Sequence, residues 1–281
     1  MKRILALILT LALMTCAFAS CVKTNNTDDL SAVKEKGKIV VGMECAYAPY
    51  NWAEPNANEN TVKVSNGTYA DGFDVQIAKY IAAALEVELE IMAIEWDGLI
   101  PALENGQIDM IIAGMSPTEE RDLSIDFTDT YFDSNLVMVV NKNSQYATAT
   151  NIQDFSGAKI TAQLNTFHYT VIDQINGVNK QTELADFAAL IQSLNSGAID
   201  GYVCEKPGAV SAVAANENFA FVEFAAGNGF ECDPAESSIS VGLRDGSTLR
   251  EEINNILAGL STADREAMMD AAIARQPASE E

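Results

Sequence analysis

The residues with the clearest chemical potential lie at positions 113–121, in the sequence AGMSPTEER. They follow the apolar run 108–112 (IDMII), which is typical of a buried strand. A strand that leads into a helix start leaves backbone N–H groups and the positive end of the helix dipole free to bind an anion. Arg121 adds a guanidinium that can hold a carboxylate through two parallel hydrogen bonds. These residues predict a site for a ligand that carries a carboxylate.

The chain contains a second, partial copy of this arrangement. Residues 98–112 align without gaps with residues 189–203, sharing two leucines, two isoleucines, one glycine and one aspartate. Each segment reads as a helix, a glycine that ends it in the left-handed conformation, and a buried strand. In this alignment Gly114 matches Glu205. The loop after the first copy therefore contains the cation Arg121, and the loop after the second contains the anion Glu205. Ligands of open α/β sheets bind beyond the carboxyl ends of strands, so two facing lobes would present both charges to one small zwitterion.

The apolar periodicity predicts the elements that must position these charges. A strand at 38–43, a helix at 74–85 and a strand at 87–94 form a strand–helix–strand unit with a right-handed crossover. Residues 54–70 are rich in Asn and Gly and lack periodicity, which predicts a long surface insertion. The remaining predicted elements are strands at 136–141, 159–162 and 219–224, a loop at 165–168, a helix at 186–196, a return crossing at 238–243, a helix opened by a Thr-x-x-Glu capping box at 248–251, and a final helix at 263–275.

Two crossings between the halves define the expected domain organisation. The chain enters the second half near residue 136 and returns near residue 238, so the first lobe is built from both ends of the chain. A length of about 260 residues after a leader fits one large domain or two lobes, and the internal copy favours two. The predicted fold class is therefore α/β with two lobes, lobe 1 comprising 38–135 and 239–281 and lobe 2 comprising 136–238.

The first twenty residues have the pattern of an export signal. Two basic residues precede the almost wholly apolar stretch 4–14, which is shorter than the about 20 residues that a membrane-spanning helix needs. Residues 18–21 (FASC) resemble a lipobox, in which Cys21 is lipidated and becomes the new N-terminus. Cys16 is a weaker alternative because a threonine precedes it, and an ordinary secretory signal with an incidental cysteine is another. Residues 21–37 are then the lipid anchor and tether.

Composition narrows the function classes. The formal net charge of −23 argues against nucleic acid as a partner, because phosphates require a basic surface. Of the five cysteines, Cys45, Cys204 and Cys232 follow the proposed anchor, and the sequence leaves open whether two of them form a disulfide. There is no Cys-x-x-Cys spacing, and the single histidine, His168, falls in the predicted loop. We therefore expect no metal site and no cofactor.

Six motifs in chain order resemble the extracellular solute-binding proteins of polar amino-acid ABC transporters, which have the type II periplasmic-binding fold. The resemblance covers nearly all of the chain after the export signal. It implies two lobes with a hinge of two crossing segments, an amino acid bound between them, and delivery to an ABC permease and its ATPase. We expect a monomer held by its lipid anchor on the extracytoplasmic face of the cell membrane. The motifs are 41–50 (VGMECAYAPY), 72–75 (GFDV), 96–103 (WDGLIPAL), 114–121 (GMSPTEER), 126–131 (DFTDTY) and 205–207 (EKP).

The resemblance assigns the two charged ends of the ligand to matching residues. Arg121 would hold the α-carboxylate, helped by backbone and side-chain donors at Gly114 and Ser116, and Glu205 would receive the α-ammonium. The chemistry agrees, since charge-assisted hydrogen bonds are about twice as strong as neutral ones.

The resemblance also assigns the ligand side chain. Tyr47 and Trp96 match aromatic positions that sandwich it, and Glu44 matches an acid that reaches it in some members. Aromatic faces and a carboxylate together favour polar or cationic side chains over acidic ones.

One loop departs from the family pattern. The family's Gly-Thr-Thr loop reads here as Asn165, Thr166 and Phe167. Asparagine tolerates the left-handed backbone of the lost glycine. The N–H of Phe167 can still donate to a ligand, but a hydroxyl contact is lost.

Simpler readings of these residues compete with the ligand-binding one. Arg121 could pair with Asp122 or Asp126 on the surface, Glu205 could pair with Lys206, and Trp96 could be ordinary core. Two other functions are also compatible with the resemblance: a sensory receptor without transport, and an enzyme like the cyclohexadienyl dehydratases. No Ser-His-Asp or Cys-His pattern supports catalysis.

Overall fold

The computed structural model describes residues 28–234 and 236–277, and the first lobe is built around a five-stranded sheet. Its order is β6-β1-β7-β16-β8, with β1 Lys38–Met43, β6 Glu88–Ala93, β7 Met110–Ile111, β8 Ile125–Phe127 and β16 Gly242–Arg244. Strand β1 is parallel to β6 and β7, whereas β16 is antiparallel to β7 and β8. Positions 39–43 of β1 are buried without interruption, as expected for a parallel strand covered on both faces. The helices of this lobe are α1 Asp29–Lys36, α2 Phe73–Leu85, α3 Leu99–Glu104, α4 Glu119–Asp122, α8 Leu249–Leu257 and α9 Thr262–Arg275.

The second lobe repeats the plan with another five-stranded sheet. Its order is β12-β11-β13-β10-β14, where β10 is Leu136–Asn141, β11 Lys159–Thr161, β12 Asn179–Lys180, β13 Gly201–Glu205 and β14 Phe219–Val222. Strands β11, β12 and β13 are parallel, and β10 is antiparallel to β13 and β14. The helices are α5 Phe167–Val171, α6 Phe187–Asn195 and α7 Lys206–Ala215.

Two short strands run between the lobes and pair with each other. These are β9 (Phe132–Asp133) on the outward path and β15 (Ser238–Ile239) on the return. They form a separate two-stranded antiparallel sheet. The expected hinge of two crossing segments is therefore confirmed, and with it the two-lobed α/β fold class.

The internal copy in the sequence corresponds to a structural repeat. Asp109 at the start of one copy's strand accepts a hydrogen bond from the N–H of Val40 at 2.8 Å. Asp200, its match in the other copy, accepts one from the N–H of Lys159, also at 2.8 Å. In both lobes the shared aspartate thus fixes the neighbouring parallel strand, which aligns the carboxyl ends of the strands that carry the charged loops.

The segment 54–70 contains strands that its sequence did not predict. Strands β4 (Val62–Lys63) and β5 (Tyr69–Asp71) join β2 (Ala46–Tyr47) and β3 (Asn51–Glu54) in a sheet of order β2-β3-β5-β4. Pieces of two or three residues are too short to show a period of two, which is why no strand pattern was visible.

The described part of the segment predicted as a tether is a helix. Asp28 caps α1 by accepting from the N–H of Ser31, Gly37 ends it at φ 67°, and Val33 is buried against lobe 1. Positions 1–27, with the export signal and Cys21, lie outside the described residues. Within the described ranges no helix is both long and apolar enough to span a membrane.

The predicted capping box at Thr248 is wrong. Thr248 has helical dihedrals and its hydroxyl accepts instead from the N–H of Leu30 at 3.1 Å. The capping box of this region is formed by Ser261 and Asp264 at the start of α9. A tertiary contact with α1 has taken the hydroxyl that a local cap would use.

Candidate functional site

Side chains from both lobes enclose a cavity of about 10 Å³ between the two sheets. Such a volume holds about one water molecule. Every predicted ligand-binding residue except Glu44 lines this cavity, and two residues that were not predicted, Gln163 and His168, line it as well. The predicted lining residues are Tyr47, Trp96, Gly114, Ser116, Arg121, Thr166, Phe167 and Glu205.

Arg121 contributes a positive charge from lobe 1. Its guanidinium donates to the carbonyl oxygens of Ser116 at 2.8 Å and Asn165 at 3.0 Å, and its Cζ lies 5.1 Å from the ring centroid of Trp96. Burial lowers the pKa of Arg121 to about 10, so the group stays charged at neutral pH. Among the described residues Arg121 forms no ion pair, and Asp126, its alternative partner, pairs with Arg250. A half-buried cation without a carboxylate partner favours binding of an anionic group.

Glu205 contributes a negative charge from lobe 2, at the carboxyl end of β13. Its side chain is 2% exposed, and Lys206, its alternative partner, pairs instead with Glu223 at 2.9 Å. The Tyr47 hydroxyl donates to Oε2 from across the cleft, and His168 Nε2 lies 3.0 Å from Oε1. Burial acts to raise the pKa of Glu205, but the charge and hydrogen bonds of these two neighbours outweigh it and hold that pKa below its ordinary value.

The expectation that His168 lies in a loop is wrong. The residue is in the first turn of α5, which begins at Phe167, and only 4% of it is exposed. The predicted loop ends at Thr166, while Asn165 has a left-handed φ of 54° as expected for a residue in place of glycine. One feature of the sequence points to His168 as a site residue, namely its position directly after the family loop. Histidine is common at exposed positions, so this feature alone does not predict burial.

Glu44 approaches the cavity through Gln163. The amide of Gln163 donates to the two carboxylate oxygens of Glu44 at 3.1 and 3.3 Å. Burial raises the pKa of Glu44 to about 7, and the nearby charges of Asp186, Glu95 and Asp97 add to the rise. The charges of three other carboxylates thus act on Glu44, an environment that favours a cation.

A buried hydrogen-bond network around Asp74 supports the loop that contains Gly114. Asp74 accepts hydrogen bonds from Asn51 at 2.9 Å, from Tyr131 at 2.8 Å, and from the backbone of Gly114. The N–H of Gly114 is therefore already used within the protein. Gly114 has φ +61°, and a Cβ there would lie 3.2 Å from the Tyr47 ring, so a larger residue would disturb the cavity wall.

The two aromatic side chains predicted to sandwich the ligand side chain also pack on protein groups. The Tyr47 ring stacks on Phe187 of lobe 2 at 3.9 Å between centroids and 7° between planes. Trp96 is 9% exposed and its ring faces Arg121. Trp96 therefore contacts the cavity and supports the guanidinium at the same time.

Hydrogen bonds across the cleft hold the lobes together in this structure. Besides Tyr47 to Glu205 and Gln163 to Glu44, Asn165 Nδ2 donates to Asp97 at 2.9 Å. The described residues contain no group of three or more His, Cys, Asp or Glu arranged to hold a metal ion, and Cys45, Cys204 and Cys232 are free thiols. The arrangement can bind a small zwitterion, with opposite charges contributed by opposite lobes.

Comparison with known proteins identifies the family. The model of the bacterial extracellular solute-binding proteins, family 3, matches residues 39–269. The arginine-binding extracellular protein ArtP of Bacillus subtilis is 26% identical over 256 residues, which cover 89% of this chain and 90% of that protein. A probable histidine-binding protein of Campylobacter jejuni is 30% identical over 194 residues, which cover 68% of this chain and 70% of that protein.

Solved structures of amino-acid-binding proteins have a similar fold. Holo ArgBP from T. maritima has a TM-score of 0.68 at 30% identity, over 83% of this chain and 96% of that one. An amino acid ABC transporter substrate-binding protein from Streptococcus pneumoniae, bound to L-arginine, has a TM-score of 0.76 over 88% of this chain and 98% of that one, and at 24% identity it supports the fold. The protein studied here belongs to the bacterial extracellular solute-binding proteins of family 3.

Proposed function

We propose that this protein binds a free α-amino acid between its lobes and delivers it to the permease of an ABC importer. The observation that carries the proposal is the pair of a half-buried Arg121 and a buried Glu205, two opposite charges from different lobes that line one cavity. The guanidinium suits the α-carboxylate and the carboxylate suits the α-ammonium. Each contact is charge-assisted, so together they select for a zwitterion of amino-acid length.

The proposal includes movement of the lobes. A cavity of about 10 Å³ is too small for an amino acid, so the lobes must separate to admit the ligand and close on it again. The β9–β15 pair is the natural hinge, because it is the paired connection between the two sheets. We take lobe 1 as 38–135 with 239–281, and lobe 2 as 136–238, which is consistent with the membership of the two five-stranded sheets.

We further propose that the preferred ligand has a cationic side chain. Glu44 meets the cleft through Gln163, and repulsion by the charges of Asp186, Glu95 and Asp97 raises its pKa beyond the effect of burial. A ligand ammonium or guanidinium there would relieve this repulsion. The relatives named for arginine and histidine are consistent with this preference. The glutamine-binding protein GlnH of Bacillus subtilis, 26% identical over 277 residues, is named for a neutral ligand, so glutamine belongs in the test.

A calorimetric panel of arginine, lysine, histidine, glutamine, cystine and glutamate tests this preference. We expect arginine or lysine to bind most tightly and glutamate most weakly. Glu44→Gln should weaken binding of the cationic ligands about 10- to 100-fold, the value of a hydrogen bond to a charged group, and leave glutamine nearly unchanged. Glu90→Gln, an exposed carboxylate on β6, is the matched control. Tightest binding of glutamate would refute the electrostatic argument.

The affinities measured in this panel should depend on pH. The pKa of Glu44 is about 7 in the protein alone, and a cationic side chain would favour its ionised form and lower that pKa in the complex. Affinity for arginine should therefore be greatest above pH 7 and fall by up to about tenfold per pH unit below it. The ratio of arginine to glutamine affinity isolates this effect, and a ratio that stays constant from pH 6 to 8 would remove Glu44 from the site.

We also propose that Cys21 carries a lipid that anchors the protein at the extracytoplasmic face of the membrane. The support is the FASC sequence at 18–21. After expression in a bacterial host with lipoprotein processing, the protein should partition into the detergent phase of the membrane fraction. Cys21→Ala should shift it to the aqueous phase, while Cys16→Ala should not. The reverse result would assign the anchor to Cys16, and membrane partition of both variants would contradict the proposal.

A further inference from the structure

The one histidine of the chain lies at the position where the proposed ligand ammonium would bind. His168 is 4% exposed, and its Nε2 is 3.0 Å from Oε1 of Glu205. The other ring nitrogen, Nδ1, has no hydrogen-bond partner within the described residues, so a buried imidazole with one unsatisfied nitrogen lines the cavity. The other oxygen of Glu205 accepts from Tyr47. An incoming ammonium must therefore share Glu205 with His168 or replace it.

The charges in the cavity make sharing unfavourable. When His168 carries two ring protons, its imidazolium offsets the charge of the Glu205 carboxylate 3.0 Å away. The α-carboxylate of a ligand would neutralise Arg121, but its α-ammonium would add a second cation to Glu205 in a buried setting, where like charges repel strongly. If the imidazolium loses one proton, the ligand ammonium is left as the single cation beside the Glu205 carboxylate.

We propose that His168 is a positioning residue for the ammonium subsite and couples ligand binding to proton release. Imidazolium holds the Glu205 carboxylate when no ammonium is bound. When the α-ammonium binds, the imidazolium gives its proton to a buffer base in the solvent and remains as neutral imidazole, so that charge and protons balance. The inference rests on the proposed binding of an α-amino acid.

Three of the other ionisable groups near His168 keep one charge state near neutral pH and cannot release such a proton. Tyr47, from β2, has a pKa raised well above its ordinary value by burial and stays neutral. Arg121, from α4, stays charged, and Glu205, from β13, has a lowered pKa and stays ionised. Two groups do titrate in this range, because burial raises the pKa of Glu44, which is linked to the cavity through Gln163, to about 7 and that of Asp74, which accepts from the backbone of Gly114, to about 6. The test must therefore separate His168 from both.

The single histidine allows a direct measurement on tag-free protein. We expect the ¹⁵N signals of the His168 ring at pH 6 to change from those of imidazolium to those of neutral imidazole when saturating L-arginine or L-glutamine is added. Calorimetry in buffers of different ionisation enthalpy should count about one proton released per ligand at pH 6, decreasing toward zero at pH 8. Affinity for L-glutamine should then fall by up to about tenfold per pH unit on acidification.

Variants separate His168 from Glu44 and Asp74. The proton release with L-glutamine should persist in Glu44→Gln and disappear in His168→Gln, whose affinity should become independent of pH between 5.5 and 8. Thermal melting checks that His168→Gln is folded, and the ring signals of the unsubstituted protein test the inference even if it is not. Unchanged ring signals on binding, or equal proton release in His168→Gln, would overturn the inference while leaving amino-acid binding intact. Failure of the unsubstituted protein to bind any amino acid at any pH would overturn the proposed function and this inference with it.

Discussion

Arg121→Ala should weaken binding of the preferred amino acid by about 30-fold to several thousand-fold. The loss corresponds to about 2 to 5 kcal/mol, the usual cost of removing one partner from a desolvated charge pair. The residue is suited to such an effect because its guanidinium is fixed by two carbonyl oxygens and by the Trp96 ring, so little order must be gained on binding. Calorimetry on the folded variant measures the change.

Two comparisons assign the effect to the ligand carboxylate. Arg250→Ala, which removes an exposed guanidinium from the same lobe, should leave affinity unchanged. Agmatine, which is arginine without its carboxylate, should bind the Arg121→Ala variant and the unsubstituted protein equally weakly. If arginine affinity were unchanged in Arg121→Ala, the α-carboxylate would have to bind elsewhere.

Glu205→Gln should produce a loss of similar size, about 30-fold to several thousand-fold, for every α-amino acid in the panel. Glutamine keeps the shape of the side chain but removes the charge that faces the ammonium. It also leaves His168 and the Tyr47 hydroxyl without their buried carboxylate. The effect should therefore not depend on the ligand side chain, which distinguishes this subsite from that of Glu44.

An analogue without the α-amino group provides the test. 5-Guanidinopentanoate, which is deaminated arginine, should bind the unsubstituted protein weakly and Glu205→Gln no more weakly. Glu223→Gln, an exposed carboxylate of the same lobe, is the control and should behave as the unsubstituted protein. Equal weakening of arginine and its deaminated analogue in Glu205→Gln would mean that the substitution damages the cleft rather than the ammonium subsite.

Local patterns were enough to predict the elements that carry the charges. The strands 38–43 and 136–141 were predicted with the bounds that the structure has, since continuous apolar runs give a strong signal. The internal copy predicted the helix–glycine–strand unit of each lobe. Gly106 and Gly197 are indeed left-handed at φ 72° and 73°. The location of Glu205 at the carboxyl end of one strand and of Arg121 in the segment after another followed from these same local features.

Weak or conflicting local signals gave wrong predictions. The Thr248 capping box failed because a helix far away in sequence provided a competing donor, the N–H of Leu30. The strands within 54–70 are too short for a visible period. Helix α1 was assigned to a tether because its polar surface resembles a linker, whereas the burial of Val33 depends on the rest of lobe 1.

The sequence by itself determined the fold class, the family motifs and the two charged residues of the proposed site, because each depends on residues close together in the chain. Only the tertiary structure decided which groups surround those charges. Tyr47 and Glu205 are 158 residues apart, and Gln163 and Glu44 are 119 apart, yet both pairs form hydrogen bonds. The folding of lobe 2 brings His168 Nε2 to 3.0 Å from Glu205, which places an apparent loop residue beside the proposed ammonium subsite.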